Sequence, residues 1–190
     1  QYTKLKRYTT HHILEMLALT DNILRIVNFC FLVILLGLVG SLLATQSAGS
    51  SRVNYCMFTA AFAMVTDSFY GLFANFLEPL AWPIILFVLD FLNFAFTFTA
   101  GTVLAVAIRT HSCTNTDYLD SNGVAQGSTQ RCRESQAATA FFYFTFFVFL
   151  AKMLLSGLAL MTNGPFSATG GFSARRRKTA QVGVPTISQV

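Results

Sequence analysis

The sequence predicts an all-α integral membrane protein, a four-helix bundle in lipid, and three observations carry that expectation. Apolar residues make up 54% of the 190-residue chain and charged ones 11%, and the mean hydropathy is +0.55, a balance too apolar for a soluble domain. The apolar residues gather into four long stretches, each matching the ~20 residues that a helix rising ~1.5 Å per residue needs to cross ~30 Å of hydrocarbon. These stretches are apolar all round rather than along one stripe, as helices in lipid are.

Residues 1–15 are polar and read as an N-terminal extension of uncertain origin, with Met16 a natural start. His11 and His12 are an isolated pair, short of what a metal site requires. The helices are expected over residues 23–45, 53–76, 80–108 and 136–161, within a transmembrane domain spanning 16–162. The first is too long for a cleavable signal and lacks a small-residue cleavage pattern. QSAGSSR at 46–52 and LEPLAWP at 77–83 are short connections, so neighbouring helices must run antiparallel, with Pro83 in the first turn of the third. Trp82 beside it reads as an interfacial anchor. The one sizeable loop is 109–135, and residues 163–190, rich in Gly, Ser and Arg, read as a disordered basic tail.

An even number of spans puts both termini on one side, and cation bias names that side cytoplasmic. Lys4, Lys6, Arg7, Arg25 and the run Arg175, Arg176, Arg177, Lys178 lie on it, against Arg52, Arg109, Arg131 and Arg133 opposite. The tail cluster suits an anionic inner leaflet at ~1 kcal/mol per cation, and clustering at the chain ends argues against nucleic acid as the partner. Cys113 and Cys132 then share an outer loop, where a disulfide persists; closing ~20 residues contributes ~3 kcal/mol in the chain-entropy model. Cys30 and Cys56 read as inert thiols within helices.

No nucleophile elbow, zinc-binding helix motif or phosphate-cradling loop occurs, so neither catalysis, a metal nor a cofactor is expected. The chemistry-bearing residues are the intramembrane charges Asp67, Asp90 and Lys152, since a charge at the bilayer centre costs at least ~2.5 kcal/mol. Counted from the helix centres, the three share a depth ~3–6 Å to the cytoplasmic side of the midplane. Lys152 is expected to pair with Asp90 or Asp67, helped by Asn93 and Tyr70; a proton or ion relay and a lipid headgroup contact are the alternatives. Arg25, four residues after Asp21, is expected to snorkel to the inner interface. Gly37 with Ser41, Gly40 with Ala44, and Gly101 with Ala105 have the small-xxx-small spacing of close helix packing, within the bundle or between copies in a homo-oligomer. The Phe-rich fourth helix reads as core and lipid-facing surface, with a sterol- or sphingolipid-matched face as the sharper reading. The C-terminal Ile187, Ser188, Gln189 and Val190 have the form of a strand-adding peptide ligand.

Four strings, SRVNYCMF at 51–58, ANFLEPLAWP at 74–83, LDFLNFAFTFTAGTVLAVAIRTHSC at 89–113 and QVGVPTISQV at 181–190, carry a family likeness. From residue 16 onward the chain resembles the fungal non-classical export proteins, a MARVEL-domain tetraspan family. The resemblance implies a multi-pass plasma-membrane protein of furrow-like eisosome domains, tied to eisosome-associated proteins, sphingolipid supply and unconventional export. The leading expectation is therefore a non-enzymatic membrane-domain organiser. The alternative is a small transporter or channel using Asp67, Asp90 and Lys152.

Overall fold

The computed structural model describes residues 2–70, 83–109 and 111–163. Helix α1 spans Tyr2–Ala44, α2 spans Ser51–Ala63 and continues as a π-helical segment over Met64–Tyr70, α3 spans Pro83–Ile108, α4 is a short helix over Thr116–Ser121, and α5 spans Thr129–Asn163. Within the described residues, Leu19–Ala44, Ile84–Ile108 and Thr129–Leu158 are each long and apolar enough to cross a membrane. The second apolar stretch is described only as far as Tyr70. The Trp82 anchor, the connection at 77–82, the cluster of Arg175, Arg176, Arg177 and Lys178, and the C-terminal motif all lie outside the described residues.

Two helices begin earlier than the hydropathy suggests. α1 starts at Tyr2 rather than residue 23, because no Pro or Gly interrupts the chain before Gly37. α5 starts at Thr129 rather than 136, so its first two turns are polar. Within the predicted 109–135 loop lies α4, capped where the Asn115 side chain accepts from Tyr118 N at 3.3 Å.

Each long helix buries a seam stepping three and four residues at a time. In α1 it is Asn28, Leu32, Leu35, Val39 and Leu42; in α2, Val53, Cys56, Ala60 and Ala63, reaching Asp67 through the π segment. In α3 it is Asp90, Asn93, Thr97, Ala100, Leu104 and Ala107; in α5, Ser135, Ala138, Phe142, Thr145, Phe149 and Lys152. This 3–4 spacing is the left-handed bundle geometry. α5 is the central element, packed along both α3 and α1. Gly101 lets α3 and α5 meet: a Cβ there would stand 3.2 Å from Phe142 Cβ. Gly37 and Gly40 have nothing within 4 Å of such a Cβ, although Ser41, paired with Gly37 in the sequence pattern, donates to the Glu134 carboxylate of α5. The outward surface is apolar, with Phe144, Phe147, Phe98, Val106 and Ile26 exposed.

We expect Gly101→Leu to destabilise the fold by about 1–3 kcal/mol through overpacking. Gly37→Leu should stay within about 0.5 kcal/mol of the parent, as substitutions away from packed sites do. Thermal unfolding of the two variants in one detergent checks this, and equal losses would contradict the packing described.

Candidate functional site: a buried charge cluster

Polar residues concentrate at one end of the four seams, and there the charged side chains meet. Lys152 is fully buried in α5, and its ammonium donates to Asp67 Oδ1 from the π segment and lies 3.2 Å from Asp90 Oδ1 of α3. The sequence left open which carboxylate Lys152 would take; the geometry brings both to it. Its ammonium also lies 5.3 Å from the centroid of the Phe149 ring one turn earlier, within cation–π range.

α1 supplies the remaining members. Asn28, fully buried, donates from Nδ2 to Asp67 Oδ2 at 2.5 Å. Arg25 bonds Asp21 Oδ2 through Nε at 2.8 Å, as their i,i+4 spacing suggests. Its Nη1 also reaches Asp67 Oδ1 at 3.3 Å and the Asp67 backbone carbonyl at 3.2 Å. Arg25 therefore turns into the bundle instead of snorkelling outward, because the charge it can pair with lies inside. Ser156 Oγ donates to Asp90 Oδ2 at 2.5 Å, adding a second contact from α5 to α3. Asn93 stands apart from the ions: its Nδ2 donates to Thr66 Oγ1 at 2.8 Å, since its place one turn beyond Asp90 faces Thr66 on the adjacent helix. Sequence reading missed Asn28, Ser156 and Thr66. Their polarity inside otherwise apolar stretches was the available signal, but it does not tell which partner each takes.

A second polar assembly closes the other end. Cys113 and Cys132 are joined in a disulfide with a Cα–Cα distance of 5.7 Å. Next to it, Arg131 is almost wholly buried: Nε donates to Val124 O at 3.0 Å, and Nη1 donates to Leu42 O at 2.7 Å and Thr45 Oγ1 at 2.6 Å. A carbonyl in the last turn of α1, orphaned by the end of the helix, thus gains a charged donor. Tyr118 donates its hydroxyl to Ile108 O near the end of α3, and its ring lies tilted against His111 at 4.8 Å between centroids. Burial raises the Tyr118 phenol above its ordinary pKa, with the Arg109 charge pulling the other way, so the hydroxyl stays a donor at neutral pH. Gln126 ties the loop to the α1–α2 turn, accepting from Ser47 N at 2.8 Å and donating to Ala48 O at 2.8 Å. Arg131 had looked only like an outer-loop cation, and no motif announces its burial.

Among the described residues no group of three or more His, Cys, Asp or Glu side chains is placed to hold a metal ion. The fold and its two polar assemblies define a class: a helical integral membrane protein with ion pairs inside the bundle and a disulfide-braced cap. The chain belongs to the MARVEL family, described as a membrane-associating domain, which matches residues 17–155. It is 66% identical over 175 residues to Non-classical export protein 2 of Saccharomyces cerevisiae, covering 92% of this chain and 100% of that protein. Over the same 175 residues, with the same two shares covered, it is 55% identical to Non-classical export protein 2 homolog 1 of that organism. It is 53% identical over 176 residues to Non-classical export protein 102 of Candida albicans, again covering 92% of this chain and 100% of the relative. No solved structure matches the chain.

Lys152→Met should cost about 3–5 kcal/mol, because it strands two buried carboxylates, and adding Asp67→Asn should recover part of that loss. Equilibrium unfolding in mixed micelles measures both; a double variant as unstable as the sum of the singles would show that the pair does not interact. At the other end, Arg131→Met should cost about 1–3 kcal/mol by leaving the Leu42 carbonyl unpaired. A change below 0.5 kcal/mol, the size expected of an ordinary surface site, would rule out the cap role.

Proposed function

We propose that this protein is a non-enzymatic organiser of plasma-membrane domains: a four-span scaffold with both termini cytoplasmic, responsive to sphingolipid supply and linked to eisosome assembly and unconventional protein export. The observation that carries this reading is that Asp67, Asp90 and Lys152 are satisfied by one another across three helices, with side chains no more than 6% exposed. Charges spent in this way fix a bundle's shape, and a fixed shape is what a scaffold needs to present a constant surface to lipid. The exposed Phe residues supply that surface, and a bundle of fixed length and packing sorts by bilayer thickness. The names of the relatives link them to non-classical export, and the high identity over their full length brings that link to this chain. The residues taken as outer, Arg52, Arg109, Arg131 and Arg133, lie with the disulfide cap, which suits an oxidising compartment. Its partners on this reading are membrane lipids, eisosome-type proteins and further copies of itself.

A second reading, a small transporter or channel, draws on the π-helical segment that carries Asp67, a distortion frequent at functional sites. Solute flux into vesicles holding the purified protein separates the two: flux that falls with Asp90→Asn at equal protein content would favour transport.

The tagged protein in living cells should gather in stable patches at the cell surface, and diffuse staining of internal membranes would sink the organiser reading. Changing Arg175, Arg176, Arg177 and Lys178 together to Gln should leave insertion intact while weakening patch enrichment, since each cation contributes ~1 kcal/mol of attraction to anionic lipid. Retained enrichment with the termini moved to the outer side would instead make the cluster a topology signal.

A further inference from the structure

A cleft of about 700 Å³ lies where the α1–α2 turn meets the loop that carries α4. Ser47, Ser50, Ser51 and Arg52 wall it from the turn and α2, and Asp120 and Val124 from the loop. Its volume is that of a small-molecule site, roughly 300–1,000 Å³, but hydroxyl and charged groups replace the apolar walls usual in such sites. A ligand that fits it is therefore polar, and three observations give its charge.

The first is the start of α2. Ser50 is the N-cap, yet its side chain accepts from none of the first-turn amides, and that turn holds no acidic residue. These N–H groups have no acceptor within the helix, and Ser51 and Arg52, which carry two of them, line the cleft. Such a helix end, with its positive dipole, is where backbone amides hold phosphate. The second is Arg52 itself, an exposed cation in a first turn, where the dipole opposes it and an anion offsets both.

The third is Arg131, only 4% exposed. Its Nε donates to Val124 O, and Nη1 to Leu42 O and Thr45 Oγ1, while Nη2 is buried with no partner among the described residues. In the planar guanidinium Nη2 shares an edge with Nε, so the uncommitted donor is turned to the side of Val124, a wall of the cleft. Among the described residues no carboxylate lies within ion-pair distance of Arg52 or Arg131. Two cations and a helix N-terminus thus meet at one opening, against one lining carboxylate, Asp120, which sits by Gly127: a Cβ there would stand 3.1 Å from Asp120 Oδ1.

We propose that this cleft binds a phosphate group, taken by the α2 N-terminal amides and Arg52, with Arg131 supplying charge from behind Val124. The phosphate of a lipid headgroup and a free phosphate offer the same chemistry. The proposal goes beyond the organiser reading and holds or fails independently of it.

Thermal unfolding of the full chain in maltoside micelles, which carry no phosphate of their own, tests this. Inorganic phosphate should raise the Tm saturably over chloride at equal ionic strength. Arg52→Gln should raise the half-saturating concentration about fivefold, and Asp120→Asn should lower it about two- to threefold, the effects of single exposed charges. Both residues are exposed, so both variants keep the fold. Arg131→Lys, which keeps the charge and loses the second donor, should also raise it; if that variant does not fold, the two exposed sites decide. Lysophosphatidic acid mixed into the micelles, with monoacylglycerol as the phosphate-free control, names the source. Stabilisation by that lipid that Arg52→Gln weakens assigns the site to a headgroup, and stabilisation by inorganic phosphate alone assigns it to a free phosphate. Phosphate and lipid that act no better than chloride and monoacylglycerol would leave the cleft to water and overturn the proposal. Stabilisation that ignores both Arg52 and Asp120 would overturn it equally.

Discussion

The fold depends on a lysine ammonium that cannot reach water. Lys152 lies on the innermost seam of α5, and its charge is tolerable only if carboxylates are brought to it. Asp67 and Asp90 meet that demand from two other helices, so one requirement sets the depth of the π segment, α3 and α5 together. Lipid offers no comparable guide: hydrocarbon is as apolar as the Leu and Phe side chains, so burying them against one another gains little over leaving them in the bilayer. Ion pairing supplies the register that hydrophobicity withholds.

The two ends of the bundle solve the same problem with different chemistry. At the Lys152 end, side-chain ions satisfy one another. At the Arg131 end, a buried guanidinium serves backbone carbonyls and a loop, and a disulfide keeps that loop in place. Between the ends Gly101 of α3 lies against Phe142 of α5, where close approach yields van der Waals contact. A bundle pinned at both ends and tightly packed between them holds its outward face constant, which is the property the organiser reading uses.

The outward face is as specific to the sequence as the core. Phe142 and Phe149 point inward while Phe144 and Phe147 point to the lipid side, and Phe146 of α5 stacks on Phe94 of α3 and lies tilted against Phe98, with centroid distances of 4.9 and 5.2 Å. Aromatic density in α5 thus serves two purposes, divided by position along the turn.

The sequence alone determined the solvent and the class. Composition and the length of the apolar stretches require a membrane, the long shared strings name the MARVEL family, and Asp67, Asp90, Lys152, Cys113 and Cys132 stand out because charges and paired cysteines are rare and costly in such a chain. Only the tertiary structure decided which face of each helix turns inward. In water, burial and polarity coincide and the period of the pattern reveals the inner face; in lipid both faces are apolar and the period falls silent. That is why the roles of Asn28, Thr66 and Ser156, the inward turn of Arg25 and the burial of Arg131 were invisible along the chain. Each becomes necessary only when another helix places a partner, Asp67, Asn93, Asp90 or the Leu42 carbonyl, within hydrogen-bond reach.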